Sequence, residues 1–368
     1  MILKDLSLVN FKNYKGIELT FNPKINCFVG NNGQGKTNLL DAIYYLSFCK
    51  SFLNSIDSQN INYDESFFMI QGTYQRENKS EQIYCGIKKG QKKIFRRNKK
   101  DYEKLSDHIG FLPLVAISPS DSTLINDGSE LRRKFLDGII SQYDSSYLEA
   151  LLSYNKALTQ RNALLKYFFK QRTFNQDQLD GWDMQLVKYG EIIFEKRNKL
   201  ISSLLPVFQR YYIQISGGNE VVQLVYQSQL ENGDFEGQIK TATGMDRRKL
   251  YSTVGIHKDD LLFQISDRPI KKFGSQGQQK SYLIALKLAQ LELLKTAVGV
   301  DPILLLDDVF DKLDEIRVAH LLELVNSNQF GQIFLSDTHP KRIEQILSQL
   351  KLESSVFEVN NQEAKIRI

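Results

Sequence analysis

Eight residues near the N-terminus, Gly30-Asn31-Asn32-Gly33-Gln34-Gly35-Lys36-Thr37, have the types and spacing to hold a triphosphate. They fit G-x-x-x-x-G-K-[ST] and lie between the apolar run 25–29 (INCFV) and an amphipathic helical pattern carrying Leu39, Leu40, Ile43, Tyr44 and Leu46. Glycines let a backbone turn tightly enough for its N–H groups to face phosphate oxygens, and the following helix N-terminus adds positive potential. Lys36 then reaches the β- and γ-phosphates of ATP, and the Thr37 hydroxyl joins the shell of Mg²⁺. Far downstream, Ile303-Leu304-Leu305-Leu306-Asp307-Asp308 is an apolar run ending in two carboxylates. That is the pattern of a buried parallel strand whose C-terminal end faces a ligand. Asp307 is the candidate Mg²⁺ ligand, and Asp308 the candidate catalytic group that orients or deprotonates the attacking water.

A phosphate loop alone does not separate kinases, GTPases and other nucleotide hydrolases. Ser275-Gln276-Gly277-Gln278-Gln279-Lys280 narrows the choice, because it precedes a helical stretch, 281–295, and lies 32 residues before Asp307. The segment resembles the signature of ABC-type ATPases, whose serine and glycine cap a helix and offer N–H groups to a γ-phosphate. In that superfamily the phosphate belongs to ATP held by another subunit. The resemblance therefore makes Ser275, Gln276, Gly277 and Gln278 nucleotide-binding residues acting across a dimer. Leu313-Asp314 is similar to the D-loop. His339, in Asp337-Thr338-His339-Pro340 after the apolar strand 332–336, stands where ABC proteins place a switch histidine; a surface histidine beside a proline is the other reading.

From Lys36 to Asp307 the chain runs 271 residues. Transporter ATPases place these motifs much closer together, and chromosome-structuring ATPases separate them by far longer coiled coils. The intermediate spacing resembles the RecF family, and the likeness runs over nearly the whole chain. It is carried by Leu3–Leu6 with Asn10–Tyr14, by Gly30–Ile43, by Ser118-Pro119 with Asp121, and by Arg132-Arg133 with Phe135-Leu136-Asp137. His257 with Asp259-Asp260-Leu261 and the closing Leu305–Asp314 complete it. Asp308 stands where most other ABC ATPases carry Glu. Its shorter side chain implies a less well positioned water and slow turnover. Lys12 and Lys258 stand where the family has Arg, Ile256 where it has Pro, and Leu124–Gly128 departs from its pattern. A lysine lacks the planar fork with which arginine grips phosphate or carboxylate.

Elements must hold these residues in place. Residues 2–9 and 17–21 read as paired strands, 25–29 as a buried strand, and 66–74 and 82–87 as strands leading into a hairpin with its turn at 88–91. Residues 129–172 and 176–212 show helical periodicity without turn clusters, which predicts two long helices joined near 173–175 as a projecting antiparallel arm. Residues 211–229 alternate like strand, and after Gly255 the rhythm is that of an α/β nucleotide-binding domain. The expected fold is α/β, an ABC-type ATPase head with a mixed β-sheet and a phosphate-loop helix. A mainly helical arm or lid subdomain is inserted between the two acidic and phosphate-loop motifs. The expected divisions are 1–125, 126–250 and 251–368.

Lys plus Arg number 48 against 43 for Asp plus Glu, a net charge of +5 that permits a polyanionic partner without demanding one. The charge is locally concentrated. Eight of the thirteen residues from Lys88 to Lys100 are basic: Lys88, Lys89, Lys92, Lys93, Arg96, Arg97, Lys99 and Lys100. On a hairpin this is a candidate phosphate-binding stripe for DNA, with Phe95 beneath it and little sequence preference. A solvated hairpin face is the other reading. Cys27, Cys49 and Cys85 form no metal or disulfide spacing, which suits a reducing cytoplasm. Residues 1–10 read as strand rather than leader, and no apolar run is long enough to span a membrane. The family resemblance implies an ATP-gated, dimeric clamp on single- and double-stranded DNA or their junctions. It further implies RecR, RecO and RecA as functional partners and a role in recombinase loading during repair and replication restart. A chromosome-structuring ATPase related to SMC and Rad50 is the alternative. A transport-energising subunit and an ABC-type nuclease are more distant rivals.

Overall fold

The computed structural model describes residues 1–218, 220–310, 317, 318, 324, 330–350 and 353–367. In chain order the first elements are β1 (Ile2–Phe11), β2 (Tyr14–Thr20), β3 (Ile25–Val29), α1 (Lys36–Phe48), β4 (Phe67–Arg76), β5 (Lys79–Lys88), β6 (Ile94–Arg97), β7 (Lys100–Asp101) and β8 (Leu114–Ile117). A second run comprises α2 (Ser122–Asn126), α3 (Ser129–Ile140), α4 (Ser145–Gln171), α5 (Gln176–Ser216), β9 (Val222–Gln227), α6 (Phe235–Lys249), β10 (Asp260–Ile265), β11 (Arg268–Pro269) and α7 (Ile270–Phe273). The chain closes with α8 (Gln276–Val298), β12 (Ile303–Asp307), β13 (Ile333–Asp337), α9 (Pro340–Leu350), β14 (Ser354–Asn360) and β15 (Glu363–Ile366). Two compact units form: Met1–Asp121, Tyr211–Gly218 and Gln276–Ile368 in one, Ser122–Arg210 and Asn219–Ser275 in the other. Residues 251–275 therefore group with the inserted unit, not with the C-terminal segment to which the sequence assigned them.

The first unit contains an antiparallel sheet, β2-β1-β4-β5-β6-β7, and a mixed sheet, β15-β14-β3-β13-β12-β8, whose inner pairs are parallel. Every residue of β3, β12 and β13 is buried, which is why these strands read as continuous apolar runs. In β1 a register shift between Leu3 and Asp5 returns Leu3 to the inner face beside Leu6 and Leu8. Both sheets and α1 share one core, in which Leu8, Phe11, Leu40, Ile43, Phe68 and Phe334 take part. The helix α1 is buried around most of its circumference, Asp41 and Ser47 included, rather than along the single face its pattern suggested.

The second unit joins helices to the antiparallel sheet β11-β10-β9. Two departures from expectation have local causes. The helical run 129–172 breaks between α3 and α4, where the Asp144 carboxylate accepts the backbone N–H of Tyr147 at 2.9 Å and starts a new helix. The strand expected over 211–229 shrinks to Val222–Gln227. Phe208, Tyr211, Tyr212 and Ile215, buried at i, i+3, i+4 and i+7, are the last turns of α5. The helices α4 and α5 pair antiparallel: Asp144 meets Lys196, Arg161 meets Asp183 and Phe168 packs with Leu179.

Candidate active site and nucleic-acid surfaces

The loop after β3 is shaped by three glycines. Gly33 and Gly35 have φ of 79° and 112°, in the left-handed region that only glycine enters without strain. Gly30 packs so closely on β14 that an added Cβ would lie 2.3 Å from the Val359 carbonyl oxygen. No side chain caps α1, so its first turn faces the loop with backbone donors. Lys36 is buried, its Nζ donating to the carbonyls of Gly30 at 2.8 Å and Asn31 at 3.0 Å. Those bonds hold the ammonium across the loop that a triphosphate would enter. Asn31, Asn32 and Gly33 are exposed on its rim. Gln34 is tied down on two sides: its carbonyl accepts from Asn13 Nδ2 at 3.0 Å, and its Oε1 from the Asn361 backbone N–H at 2.9 Å. Asn13 Oδ1 in turn accepts from Asn38 Nδ2 at 2.7 Å. Lys12 is engaged by the buried Asp41 of α1, and burial lowers its pKa.

Parallel pairing places β13 between β3 and β12, so the ends of three strands meet at this loop. Thr37 Oγ1 donates to Asp307 Oδ1 at 2.9 Å, and Ser336 Oγ donates to the same oxygen at 2.6 Å. Desolvation raises the Asp307 pKa, and those two hydroxyls and nearby Lys36 oppose the rise. A hydroxyl and a carboxylate brought together beside a phosphate loop are hard oxygen donors that fit Mg²⁺, which takes few protein ligands and completes its shell with phosphate and water. Asp308 adopts φ of 45°, a region aspartate tolerates better than most residues, and its backbone N–H donates to Ser336 Oγ at 3.0 Å. Ser336 thus organises both aspartates. Sequence reasoning gave it no role, although a small hydroxyl at the end of a buried strand was the available signal.

His339 is exposed just beyond β13. Its backbone N–H donates to Asp337 Oδ1 at 2.6 Å, and its Nδ1 lies 2.9 Å from Thr338 Oγ1. Asp337, fully buried, is also gripped by Arg342, whose Nη2 lies 2.8 and 2.7 Å from its two oxygens. That grip fixes the turn carrying His339, and the sequence did not single out Arg342. In the signature segment, α8 starts at Gln276, earlier than the predicted 281–295, so Ser275 immediately precedes the helix and Gly277 and Gln278 lie in its first turn. Ser275 and Gln276 are exposed. A Cβ on Gly277 would come within 2.8 Å of Arg317 Nη1. Leu313 and Asp314 lie outside the described residues.

The basic segment divides. Lys93 Nζ is 2.7 Å from Asp57 and donates to the Cys49 carbonyl at 2.6 Å. Arg97 forms a two-pronged pair with Glu81, at 2.9 and 2.8 Å, and covers the Phe111 ring; its hydrogen bonds hold the Glu81 carboxyl below the usual range. Arg96 pairs with Asp101 at 2.7 Å and lies near the Tyr84 ring, on the strand face opposite Arg97. These three cations do not form one stripe, and Phe95 is core. Lys88, Lys89, Lys92, Lys99 and Lys100 are exposed at the ends of β5, β6 and β7, with Lys89 Nζ also reaching the Glu65 carbonyl.

In the second unit the scattered family-like residues converge. Arg197, buried, joins Asp137 at 2.8 Å, Asp259 at 2.8 Å and the Ile256 carbonyl at 3.1 Å. Arg132 forks onto Asp260 at 2.7 and 3.1 Å, and Arg133 reaches the Asp259 carbonyl at 2.7 Å. His257 Nε2 faces the Ser252 carbonyl at 3.0 Å and so must carry the proton, leaving Nδ1 to accept from Tyr154 at 2.8 Å. Burial lowers its pKa to about 4, and it is neutral at physiological pH. This constellation is a joint between helices and sheet. Arg197, its central cation, was not legible because its partners are distant in sequence.

The fold and the loop geometry define an ABC-type ATPase head with an inserted, largely helical subdomain. The match of residues 2–364 to the RecF/RecN/SMC N terminal domain places the chain in that class. Within it, the chain is 53% identical over 97% of its length to the DNA replication and repair protein RecF of Flavobacterium johnsoniae, covering 99% of that protein. It is 52% identical over its full length to that of Phocaeicola vulgatus, again covering 99%. A solved structure of the recombination mediator RecF with ATP, from the RecFOR pathway, superposes with a TM-score of 0.90 at 30% identity, covering 100% of this chain and 98% of that one. An Smc head from Pyrococcus furiosus, at 17% identity and TM-score 0.58, shares the fold. The chain belongs to the RecF family.

Proposed function

We propose that this chain is an ATP-gated DNA clamp that hydrolyses ATP slowly. The observation that carries the reading is the 2.9 Å bond between Thr37 and Asp307, which closes the phosphate loop onto an acidic strand end 270 residues away in sequence. Gly30–Thr37 bind the triphosphate, and Lys36 exchanges its loop carbonyls for β- and γ-phosphate oxygens. Thr37 and Asp307 hold Mg²⁺, which neutralises phosphate charge when bound. Asp308 orients or deprotonates water, and His339 senses the γ-phosphate. The segment Ser275–Gln278, which leads into α8, closes over ATP held by a second copy, so a head-to-tail homodimer encloses two nucleotides and grips DNA. Hydrolysis releases the grip.

The RecFOR pathway named for a RecF relative supports RecR and RecO as functional partners, and the family resemblance extends the reading to RecA and to recombinase loading on single-strand, duplex or junction DNA. A chromosome-tethering ATPase of SMC or Rad50 type fits less well, because α4 and α5 are helices of 27 and 41 residues rather than a long coiled coil. The test is molecular mass in solution by light scattering, with and without ATP–Mg²⁺, for wild type, Lys36→Met and Ser275→Arg. ATP is expected to double the mass of wild type alone. One unchanging mass for all three proteins would remove the gating mechanism.

A further inference from the structure

The turn joining α4 to α5 and the end of α6 enclose a cleft of about 1000 Å³, entirely within the second unit. Its floor is Leu165 and Phe168, which pack on the buried Leu179 beneath, with Phe174 set edge-on to Phe168 at 5.5 Å. Its walls carry Lys170, Arg172, Arg247 and Arg248, all exposed, and among the described residues no carboxylate lines it. Asp246, next in sequence, is turned inward and bound by Arg161 at 2.6 Å. Aromatic surface accompanies this charge: Phe169 is 70% exposed and Tyr167 55%, and the Arg247 guanidinium stacks 3.8 Å from the Phe174 ring centre. Helix ends explain part of the charge, since cations favour C-termini. Two helix termini, however, contribute only about half a negative charge each, against four cations. A cationic excess remains, and with it a large exposed aromatic side chain that folding does not require.

We propose that this cleft binds single-stranded nucleic acid, at a site separate from the ATP-gated grip. Phosphates lie against Lys170, Arg172, Arg247 and Arg248, and an unstacked base covers the Phe169 face. A duplex matches the charges but offers no free base face, which is why a single strand is favoured over a double one. The proposal adds to the DNA-clamp reading yet needs no nucleotide.

The experiment is fluorescence anisotropy of labelled dT20, at low salt and without nucleotide, on the full chain and on Lys36→Met. Variants are Phe169→Ser, whose exposure makes it harmless to folding, and Arg247→Gln/Arg248→Gln; thermal melts confirm that each is folded. Wild type and Lys36→Met are expected to bind alike. Phe169→Ser should weaken binding about 5- to 100-fold. The double variant should flatten log K against log salt by about 1.4, the single-strand value for two phosphates. Folded variants binding dT20 as wild type does would overturn the site. Equal competition by a Glu-Tyr copolymer would also overturn it, because the cleft would then read charge and not bases. ATP-dependent retention of duplex DNA, followed on the same variants, reports the clamp separately. Its loss in Lys36→Met alone leaves the two ideas distinguishable.

Discussion

Asp307 is buried with one carboxylate oxygen accepting from both Thr37 and Ser336, and desolvation raises its pKa. An acid whose folded pKa exceeds its unfolded value costs stability once pH passes the unfolded pKa, and that cost is fully present above the folded one. Asp307→Asn keeps an acceptor for both hydroxyls and removes the buried charge. Its Tm should therefore exceed that of wild type at pH 7.5, with the gain shrinking as pH falls toward 4. If Asp307 holds Mg²⁺ as proposed, phosphate release should also drop by about 100-fold or more, since such a metal supplies several kcal/mol of charge stabilisation. Melts at two pH values with a hydrolysis assay check both parts, and a Tm below wild type at pH 7.5 would show that the charge is not penalised. Lys12 illustrates the opposite economy. Its ammonium is engaged by Asp41, a contact that needs no guanidinium fork, so lysine serves where the family resemblance leads one to expect arginine.

The paired helices α4 and α5 each carry a buried arginine, Arg161 and Arg197, within a largely apolar stripe. Arg197 is almost wholly buried and joins Asp137 of α3, Asp259 and the Ile256 carbonyl. Arg197→Met would leave Asp259, whose own side chain is inaccessible, without its counter-charge. Breaking such a pair costs about 3–5 kcal/mol. Burial already raises the Asp259 pKa, so the variant can escape by protonating it, and the deficit should narrow as pH is lowered. Urea unfolding at pH 8 and pH 5 measures this; an equal deficit at both would mean that lost packing, not lost charge, is responsible. The helices themselves were legible from periodicity. Their break at Asp144 was not, because a capping aspartate inside a helical pattern looks like any other polar residue until its backbone is seen to turn.

At the scale of the molecule, a net charge of +5 matters less than where the cations stand. Lys88, Lys92, Lys99 and Lys100 are exposed, whereas Lys93 is spent on Asp57 and the Cys49 carbonyl. If the exposed set holds duplex DNA, replacing all four with Gln should flatten log K against log salt by about 3 to 4, near 0.9 per phosphate contact. Lys93→Gln should instead lower Tm and leave the slope alone. Titrations at four salt concentrations separate the two, and an unchanged slope in the four-lysine variant would remove the hairpin from the DNA path.

The phosphate loop, the acidic strand end and the family were readable from sequence because their chemistry needs fixed residue types at short, local spacing. Gly30–Thr37 and Ile303–Asp308 carry that information whatever surrounds them. Only tertiary structure decided which charges are available. Arg96 and Arg97 are neighbours in sequence but point to opposite faces of a strand, toward Asp101 and Glu81. Ser336 acquires its role because β13 lies between β3 and β12. The aromatic and cationic cleft exists because the ends of α4 and α6, over seventy residues apart, come together. Local patterns specify what a residue can do, and long-range packing fixes what it has left to do it with.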